Sequence, residues 1–374
     1  MRHIAAADNM VTKCIRISKL RLLGKVVVIA VAVVFTRVCL TLVLDFSSGG
    51  YLPAFSITTS PANDTSDEDR GNPEQFIPDN PSKSPVGQPA VVPDKYHIEE
   101  EDFCRRQGDL QVVAFVHSAI SRVENRRHTR ATWANSTIHG FQLGVVFMVG
   151  RAKTKQEEDI VREESSLYHD IVQGDYADDY RLLSYKALAA INWVLGHCSH
   201  VPWTLHADDD LILDVFLLQE FIQNLNSSQE QFQCRAIMKS PVRRKGRYKV
   251  ARNEYPGRVY PPYCQGPVWL LSTQHLHKLL QASKTVNYLW VDDAYLTGLL
   301  RAKANISIAN IKAKVGTGKF DMKDIGTKLA WFHLKKVKMA DIWPAVVRHH
   351  QKTKTKVTEI VSKNVSTVTA VPTA

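Results

Sequence analysis

Trp203-Thr-Leu-His-Ala-Asp208-Asp209-Asp210 is an apolar run that stops at three adjacent carboxylates, with a second apolar run, Leu211-Ile212-Leu213, directly behind it. Neighbouring Asp side chains repel one another and give up hydration only to a cation or to dense hydrogen-bond donors, so the interior of a buried strand is closed to them. The stretch therefore predicts the tip of a strand. In open α/β sheets ligands collect at such tips, and Asp oxygens suit a hard divalent ion carrying phosphate oxygens. A solvated acidic turn has the same local sequence, so the surroundings must decide.

Upstream, Leu110-Gln-Val-Val-Ala-Phe-Val-His-Ser118 reads as a buried strand and Gly144-Val-Val-Phe-Met-Val-Gly150 as a second, with a helix over 124–133 between them. An acidic helix follows over 155–168. Tyr180, Leu183, Ala187, Ile191 and Val194 then recur at helical spacing and predict a further helix over 180–195, mostly core. This succession, closed by the strand that ends in the Asp triplet, is an α/β nucleotide-binding layout. On the first helix Arg126 and Arg130 stand at i, i+4 and share a face, where two guanidinium groups would grip a diphosphate; a solvated basic face has the same spacing.

A chain of 374 residues with 44% hydrophobic content and a net charge of +11 allows one large domain with appendages. Much of the charge lies at the N-terminus, where Arg2, Lys13, Arg16, Lys19, Arg21 and Lys25 face only Asp8. Val26 to Leu44 is apolar apart from Thr36, Arg37 and Thr41, and as a helix it would rise roughly 28 Å, about a hydrocarbon core. The expectation is a basic cytosolic tail over 1–25 and a transmembrane signal-anchor over 26–44. Arg37 costs about 2.5–3.5 kcal/mol in mid-span unless it snorkels. A cleaved signal peptide is the alternative, with small residues at Ser47-Ser48-Gly49-Gly50.

Either way the remainder is lumenal or secreted. Sequons at Asn63, Asn135, Asn226, Asn305 and Asn364 agree, Asn80 being disqualified by Pro81, and Cys104, Cys198, Cys234 and Cys264 suit two disulfides. Nucleic acid is excluded by compartment. Residues 45–98 carry many Pro, Ser, Thr and Asp and bury too little to fold alone, so they read as a flexible stem. A globular head is expected over 99–345, and the tail over 346–374, mixing Lys, Thr, Val and Ser without period, is expected to be appended and disordered.

The head resembles the β1,3-glycosyltransferases, the galactosyltransferase and N-acetylglucosaminyltransferase enzymes related to fringe and brainiac. Arg126-Arg-His-Thr-Arg130-Ala-Thr132-Trp133 is similar to their Arg-x-x-x-Arg-x-Thr-Trp motif, and Phe147-Met-Val-Gly150 to Phe-Leu-x-Gly. Glu164, His169-Asp170-Ile171, Asp175-Tyr176, Asp178-Asp179-Tyr180, Lys186, Trp193 and Cys198 follow the family's next block in order. Asp208-Asp209-Asp210 stands at its Asp-x-Asp site and Tyr260-Pro-Pro-Tyr-Cys264-Gln-Gly266 at Tyr-Pro-x-Tyr-Cys-x-Gly. Asp292-Asp293-Ala294-Tyr295 resembles Glu-Asp-Val-Tyr, and Phe332-His333 with Trp343 the closing His-to-Trp segment. The likeness runs from about Gln111 to Trp343. Leu182-Leu183-Ser184 departs from the family's Asn-Leu-Thr, Val268 before Trp269 replaces a small residue, and Gly298 comes one place late after Asp293.

The resemblance implies a GT-A fold: a single nucleotide-sugar-binding α/β domain with a Rossmann-like mixed sheet flanked by helices, behind the transmembrane helix and stem. It also implies Golgi residence as a single-pass type II protein, a UDP-sugar donor, Mn2+ or another divalent cation, and a glycan acceptor on a glycolipid or glycoprotein. Association with other glycosyltransferases belongs to the same expectation. The reaction implied is inverting transfer of a hexose or N-acetylhexosamine in β1,3 linkage. A non-catalytic paralogue that binds the same ligands and assists a partner transferase is the alternative, and the retained carboxylates and late His favour the enzyme.

By the same resemblance Asp210 and His333 hold the metal, Asp208 and Asp209 meet the ribose or orient Asp210, and Arg126 and Arg130 lie near the UDP; pairing of these arginines with Glu124 or a neighbouring acidic helix is equally consistent with their helical face. Asp293 or Asp292 is the general base; the residues themselves do not rank the pair, and one of them capping the helix from Ala294 is equally consistent. A packed His333 beside Trp331 and Phe332 is likewise an alternative to a ligand. Val268 and Trp269 are expected at the donor-pocket floor. The places of Cys198 and Cys264 in two family blocks favour pairing them, leaving Cys104 with Cys234. The basic run from Arg235 to Arg252 is either a solvated charge run or a loop that closes over the diphosphate.

Overall fold

The computed structural model describes residues 85–334 and 339–368, which fall within one compact unit, 76–374. The expected anchor over 26–44 and most of the stem lie outside the described residues. Among the described residues no helix is long and apolar enough to cross a membrane.

Tyr96–Ile98 (β1) is a short edge strand. Val112–His117 (β2) and Leu143–Arg151 (β3) are buried at every position, which is why they read as continuous apolar runs rather than alternating ones. Val123–Ala131 (α1) connects them. Lys155–Tyr168 (α2), capped by Thr154 accepting from the Glu157 amide, leads to Ile171–Ala177 (β4). Leu183–His197 (α3) leads to Trp203–Asp208 (β5), which ends on the first residue of the Asp triplet. Ile212–Leu213 (β6) and Val215–Gln223 (α4) follow. Gln231–Ile237 (β7), Ser240–Pro241 (β8), Val259–Tyr260 (β9) and Tyr263–Ser272 (β10) come next, then Leu276–Ser283 (α5). The chain closes with Ser307–Asn310 (β11), Val315–Thr317 (β12), Ala330–Phe332 (β13) and Met339–Val368 (α6).

The main sheet has eight strands in the order β1-β4-β3-β2-β5-β10-β7-β11. β2 pairs in parallel with β3 and with β5, and β3 with β4, while β10 runs antiparallel to both of its neighbours. After β1 at the edge, the chain enters the middle at β2, steps outward to β4, and returns through α3 to the other side of β2. Strand order reverses between β2 and β5, and the crevice at their carboxyl ends is the switch point where such sheets bind ligands.

Alternation along β2 divides the interior. Val113 and Phe115 join a core with Ile191, Trp269 and Tyr295, whereas Val112, Ala114 and Val116 join another with Trp133, Trp331 and Trp343. Gly150 is required where β4 leaves the sheet, since a Cβ there would lie 2.7 Å from the Asp178 amide nitrogen. Val268 and Trp269 face these cores: Trp269 packs on Phe115, His206 and Phe232, so neither forms a ligand-pocket floor.

Two expectations are corrected here. The disulfides are Cys104–Cys198 and Cys234–Cys264, each with Cα atoms 5.5 Å apart. Cys234 and Cys264 lie on the neighbouring strands β7 and β10, an adjacency that only the sheet order creates. The described part of the expected tail, 346–368, is not an irregular appendage, because α6 continues to Val368. Its Ile342, Val346 and His350, spaced by four, turn one side inward; Phe216 stacks on Trp343 and on His350, and His350 Nε2 lies 3.0 Å from the buried Asp214 carboxylate.

Ala294–Leu300 is a π-helix, a form that admits one extra residue per turn and recurs at functional sites. The wide turn brings Gly298 against β10, where a Cβ would come within 3.2 Å of Tyr263 Cβ.

Candidate functional site

At the switch point His117, the last residue of β2, lies opposite Asp208, the last of β5. The triplet divides its work from there. Asp209 is buried and its carboxylate accepts from Ser118 Oγ at 2.7 Å, Arg122 Nη1 at 2.8 Å and Asn125 Nδ2 at 3.1 Å. Dense donors replace its water, and in return it ties the loop after β2 to the tip of β5. Asp210 stays half-exposed, 3.9 Å from Arg122.

Arg126 does not grip a ligand. All five of its N–H donors are engaged within the protein, by both oxygens of Glu164, by Ser118 Oγ, and by the carbonyls of Ala119 and Ile120. Arg130 pairs bidentately with Asp170, reaches Glu164 at 2.7 Å and stacks over Tyr168. Burial alone would raise the Glu164 pKa, but the two guanidinium groups outweigh it and hold it below the usual range. The shared helical face was read correctly; its partners are carboxylates of α2 and the turn after it. Arg126 therefore positions the loop that holds Asp209, and Arg130 joins it through their shared Glu164.

Asp208, Asp292, Asp293 and His333 line one cavity of about 500 Å³. Gln265-Gly266-Pro267 of β10, Tyr180, and Arg243 with Tyr248 from the basic run complete its walls. Arg243 is thus a guanidinium that does face the pocket. Arg244, its neighbour, donates to the carbonyls of Val250, Ala251, Tyr255 and Gly257 and shapes the loop from within.

His333 sits just beyond β13 in the left-handed region, φ 51°, an uncommon conformation for a side-chain-bearing residue and one that marks a constrained position. β13 pairs antiparallel with β6, Ala330 opposite Leu213 and Trp331 opposite Ile212. The two short strands bring the late His to the pocket that Asp208 lines, whereas Asp209 and Asp210 do not line it; His333 is exposed, which sets aside the packed alternative.

Electrostatically the pocket carries unbalanced negative charge. Burial, then Asp292, Asp210, Asp209 and Asp293, push the Asp208 carboxyl well above its ordinary range. Burial raises Asp292 to about 6, against the lowering pull of backbone N–H groups and Lys186. Burial and then the Asp292 charge raise Asp293 to about 7. Asp293 Oδ1 also accepts from the Ala294 amide at 2.7 Å, so the capping reading holds. Capping fixes the carboxylate's orientation and leaves Oδ2 beside Gly266. Lys186, buried on α3, binds Asp178 at 2.7 Å and the Ser118 carbonyl.

Behind Asp208 lies a feature the sequence reading missed. His117, His206 and Asp208 have ligand atoms within 4.8 Å of one another, the one such group among the described residues. Both His117 ring nitrogens and His206 Nδ1 lack hydrogen-bond partners, and burial lowers both imidazoles, His206 to about 3. The signal was available in the period-2 pattern of β5, which puts Thr204, His206 and Asp208 on one face. Oxygen and imidazole donors around crowded carboxylates fit a divalent cation such as Mn2+ or Zn2+.

Residues 124–312 match the family described as Galactosyltransferase. The chain is similar to Beta-1,3-galactosyltransferase 2 of Mus musculus, 27% identical over 228 residues that cover 59% of this chain and 54% of that protein. It is also similar to UDP-GalNAc:beta-1,3-N-acetylgalactosaminyltransferase 1 of Rattus norvegicus, 26% identical over 208 residues, covering 54% of this chain and 62% of the other. The chain thus spans about half the length of the first relative. A likeness to the WbbM bifunctional glycosyltransferase, 9% identical with a TM-score of 0.35 over 61% of this chain and 46% of that one, is too weak to carry an argument.

Proposed function

The chain belongs to the galactosyltransferase family, and from that premise we propose that it transfers a hexose or N-acetylhexosamine from a UDP-sugar to a glycan acceptor in β1,3 linkage, with inversion. The observation that carries this reading is the meeting of Asp208, Asp292, Asp293 and His333 in one pocket at the sheet's switch point, with Arg243 on the wall. A mixed sheet with helices on both faces suits a GT-A nucleotide-sugar enzyme.

In this reading Arg243 and the loop around it approach the diphosphate. Asp210 and His333 would hold the divalent ion, with Asp208 beside them; when bound, it supplies neutralisation of the charge that builds on the departing UDP. Asp293 takes the proton of the acceptor hydroxyl as that oxygen bonds to the anomeric carbon and the sugar–phosphate bond breaks. A base poised near neutrality is matched to this task. Asp292, raised less, shares the pair's charge and is the second candidate. Asp209 and Arg126 act at one remove, by fixing the loop under the metal motif.

The acceptor is a glycan of a glycolipid or glycoprotein, and the head works in the Golgi lumen behind a type II anchor, alongside other transferases. The two buried disulfides and the sequons support an oxidising compartment. The names of the relatives support both galactose and N-acetylgalactosamine as donor sugars.

Linkage analysis of the product by NMR tests the reading. A new β-anomeric sugar on an acceptor O3 is expected, and an α-linked product would overturn the inverting mechanism.

A further inference from the structure

A second cavity, of about 320 Å³, opens at the carboxyl end of β3 and shares no lining residue with the acidic pocket. Arg151, Lys153, Lys155, Glu158, Arg162 and Gln173 line it. Arg151 is 5% exposed. Asp175 meets its Nη1 at 3.2 Å, yet Nε and Nη2 have no hydrogen-bond partner. Buried guanidinium donors left unmet are costly and uncommon, so these two require an explanation.

The surrounding charges point to an anion. Glu158 is engaged by Arg162 Nε at 2.7 Å and Gln173 Nε2 at 3.0 Å, and Asp175 is shared between Arg151 and His97. Lys153 and Lys155 stand exposed at the rim. The first turn of α2, a helix of 14 residues, opens there with its positive end, offset by Glu157 and Glu158 in that turn, so the anion requirement rests on Arg151. Gln173 adds a second requirement: it is fully buried, its Nε2 also reaches the Gly150 carbonyl at 3.3 Å, and its Oε1 is unpartnered. A ligand that satisfies the site must bring an oxyanion for Arg151 and a hydroxyl donor for Gln173 Oε1. Sulfate has no donor, and a neutral sugar has no anion.

We propose that this cavity binds an acidic sugar, its sulfate or carboxylate group on Arg151 Nε and Nη2 and a ring hydroxyl donating to Gln173 Oε1. The volume lies at the small end of ligand cavities, roughly 300–1,000 Å³, and suits one ring. Because β3 and β5 both run parallel to β2, the site shares the sheet edge that carries Asp208. It does not depend on the transferase reading.

Isothermal titration of the detergent-solubilised full chain, with saturating UDP and Mn2+ present, tests this with galactose 6-sulfate, glucuronate, inorganic sulfate and galactose. At least one acidic sugar should bind saturably at one site, about tenfold tighter than inorganic sulfate, with no binding of galactose. Arg151→Gln should weaken it about tenfold or more. As Arg151 is buried, the exposed pair Lys153→Gln and Lys155→Gln provides a second arm, expected to weaken binding several-fold with the melting temperature unchanged. Equal affinity for sulfate and the acidic sugars, no saturable binding of either sugar, or binding that both sets of variants leave unmoved would each overturn the proposal.

Discussion

Trp331 of β13 lies opposite Ile212 of β6 in an antiparallel pair, which brings His333, the residue after β13, to the pocket that Asp208 lines. Segments far apart in the chain, one of them carrying the Asp triplet, are thereby delivered to one place by two strands of two and three residues. If Asp210 and His333 share a metal, Asp210→Ala and His333→Ala should each weaken Mn2+-dependent UDP binding by about tenfold or more, and the double variant should lose little beyond either single one. Calorimetry with and without the ion reads this directly. Fully additive losses would mean that the two residues act apart.

The Asp292/Asp293 pair gives the protein a pH signature. With folded pKa values of about 6 and about 7, turnover should rise with pH through that range as the base loses its proton. Stability should move the other way. Both values are raised above those of the unfolded chain, near 3.9, so the folded state binds protons more tightly and their stabilising contribution, complete below about pH 4, is lost as pH rises towards 7. Asp293→Asn should therefore abolish turnover yet raise the melting temperature at pH 8, by about 2–4 °C for each kcal/mol relieved, with no gain at pH 4. An unchanged melting temperature at both pH values would contradict the raised pair.

Arg126 and Arg243 should part company under mutation. Arg126→Leu leaves Glu164 buried beside Arg130 with two of its three guanidinium hydrogen bonds gone, and breaking such a pair costs about 3–5 kcal/mol, visible as a drop in melting temperature and yield. Arg243→Ala should leave melting unchanged and raise the KM for the UDP-sugar. A stable Arg126→Leu protein with only a raised KM would restore the diphosphate-gripping role.

Joining of α6 to the head is tested by His350→Ala. The change strands Asp214, which is fully buried and caps α4, and should cost about 1–3 kcal/mol in denaturant unfolding. A tail that hung free would show no cost.

Peptide mapping of the unreduced protein should recover Cys104 linked to Cys198 and Cys234 linked to Cys264. Any fragment joining Cys198 to Cys264 contradicts the strand order around β7 and β10.

Much of the sheet was legible because β2 and β3 are buried at every position and so appear as nearly continuous apolar runs, and because adjacent carboxylates must sit where a buried strand such as β5 ends. The family's motif order then placed Asp292, Asp293 and His333, which the fold does bring together. What stayed hidden depends on distant partners. The helical face of Arg126 and Arg130 looks the same whether it meets a diphosphate or Glu164, 38 positions on, and burial alone distinguishes the two. Disulfide pairing follows from strand adjacency, which cysteine spacing does not encode. His117 and His206 lie on separate strands, and only the parallel register of β2 with β5 makes them neighbours, ring centroids 4.4 Å apart.

In the proposed function the acidic pocket performs sugar transfer. Its most direct test is UDP release by the full chain with Mn2+, each UDP-sugar in turn, and a broad panel of glycan acceptors. The account predicts acceptor-dependent release from at least one donor, abolished in Asp210→Ala and in Asp293→Asn. Absence of release from every pairing, with Mn2+-dependent UDP binding intact, would contradict it and leave a non-catalytic partner of another transferase as the better description.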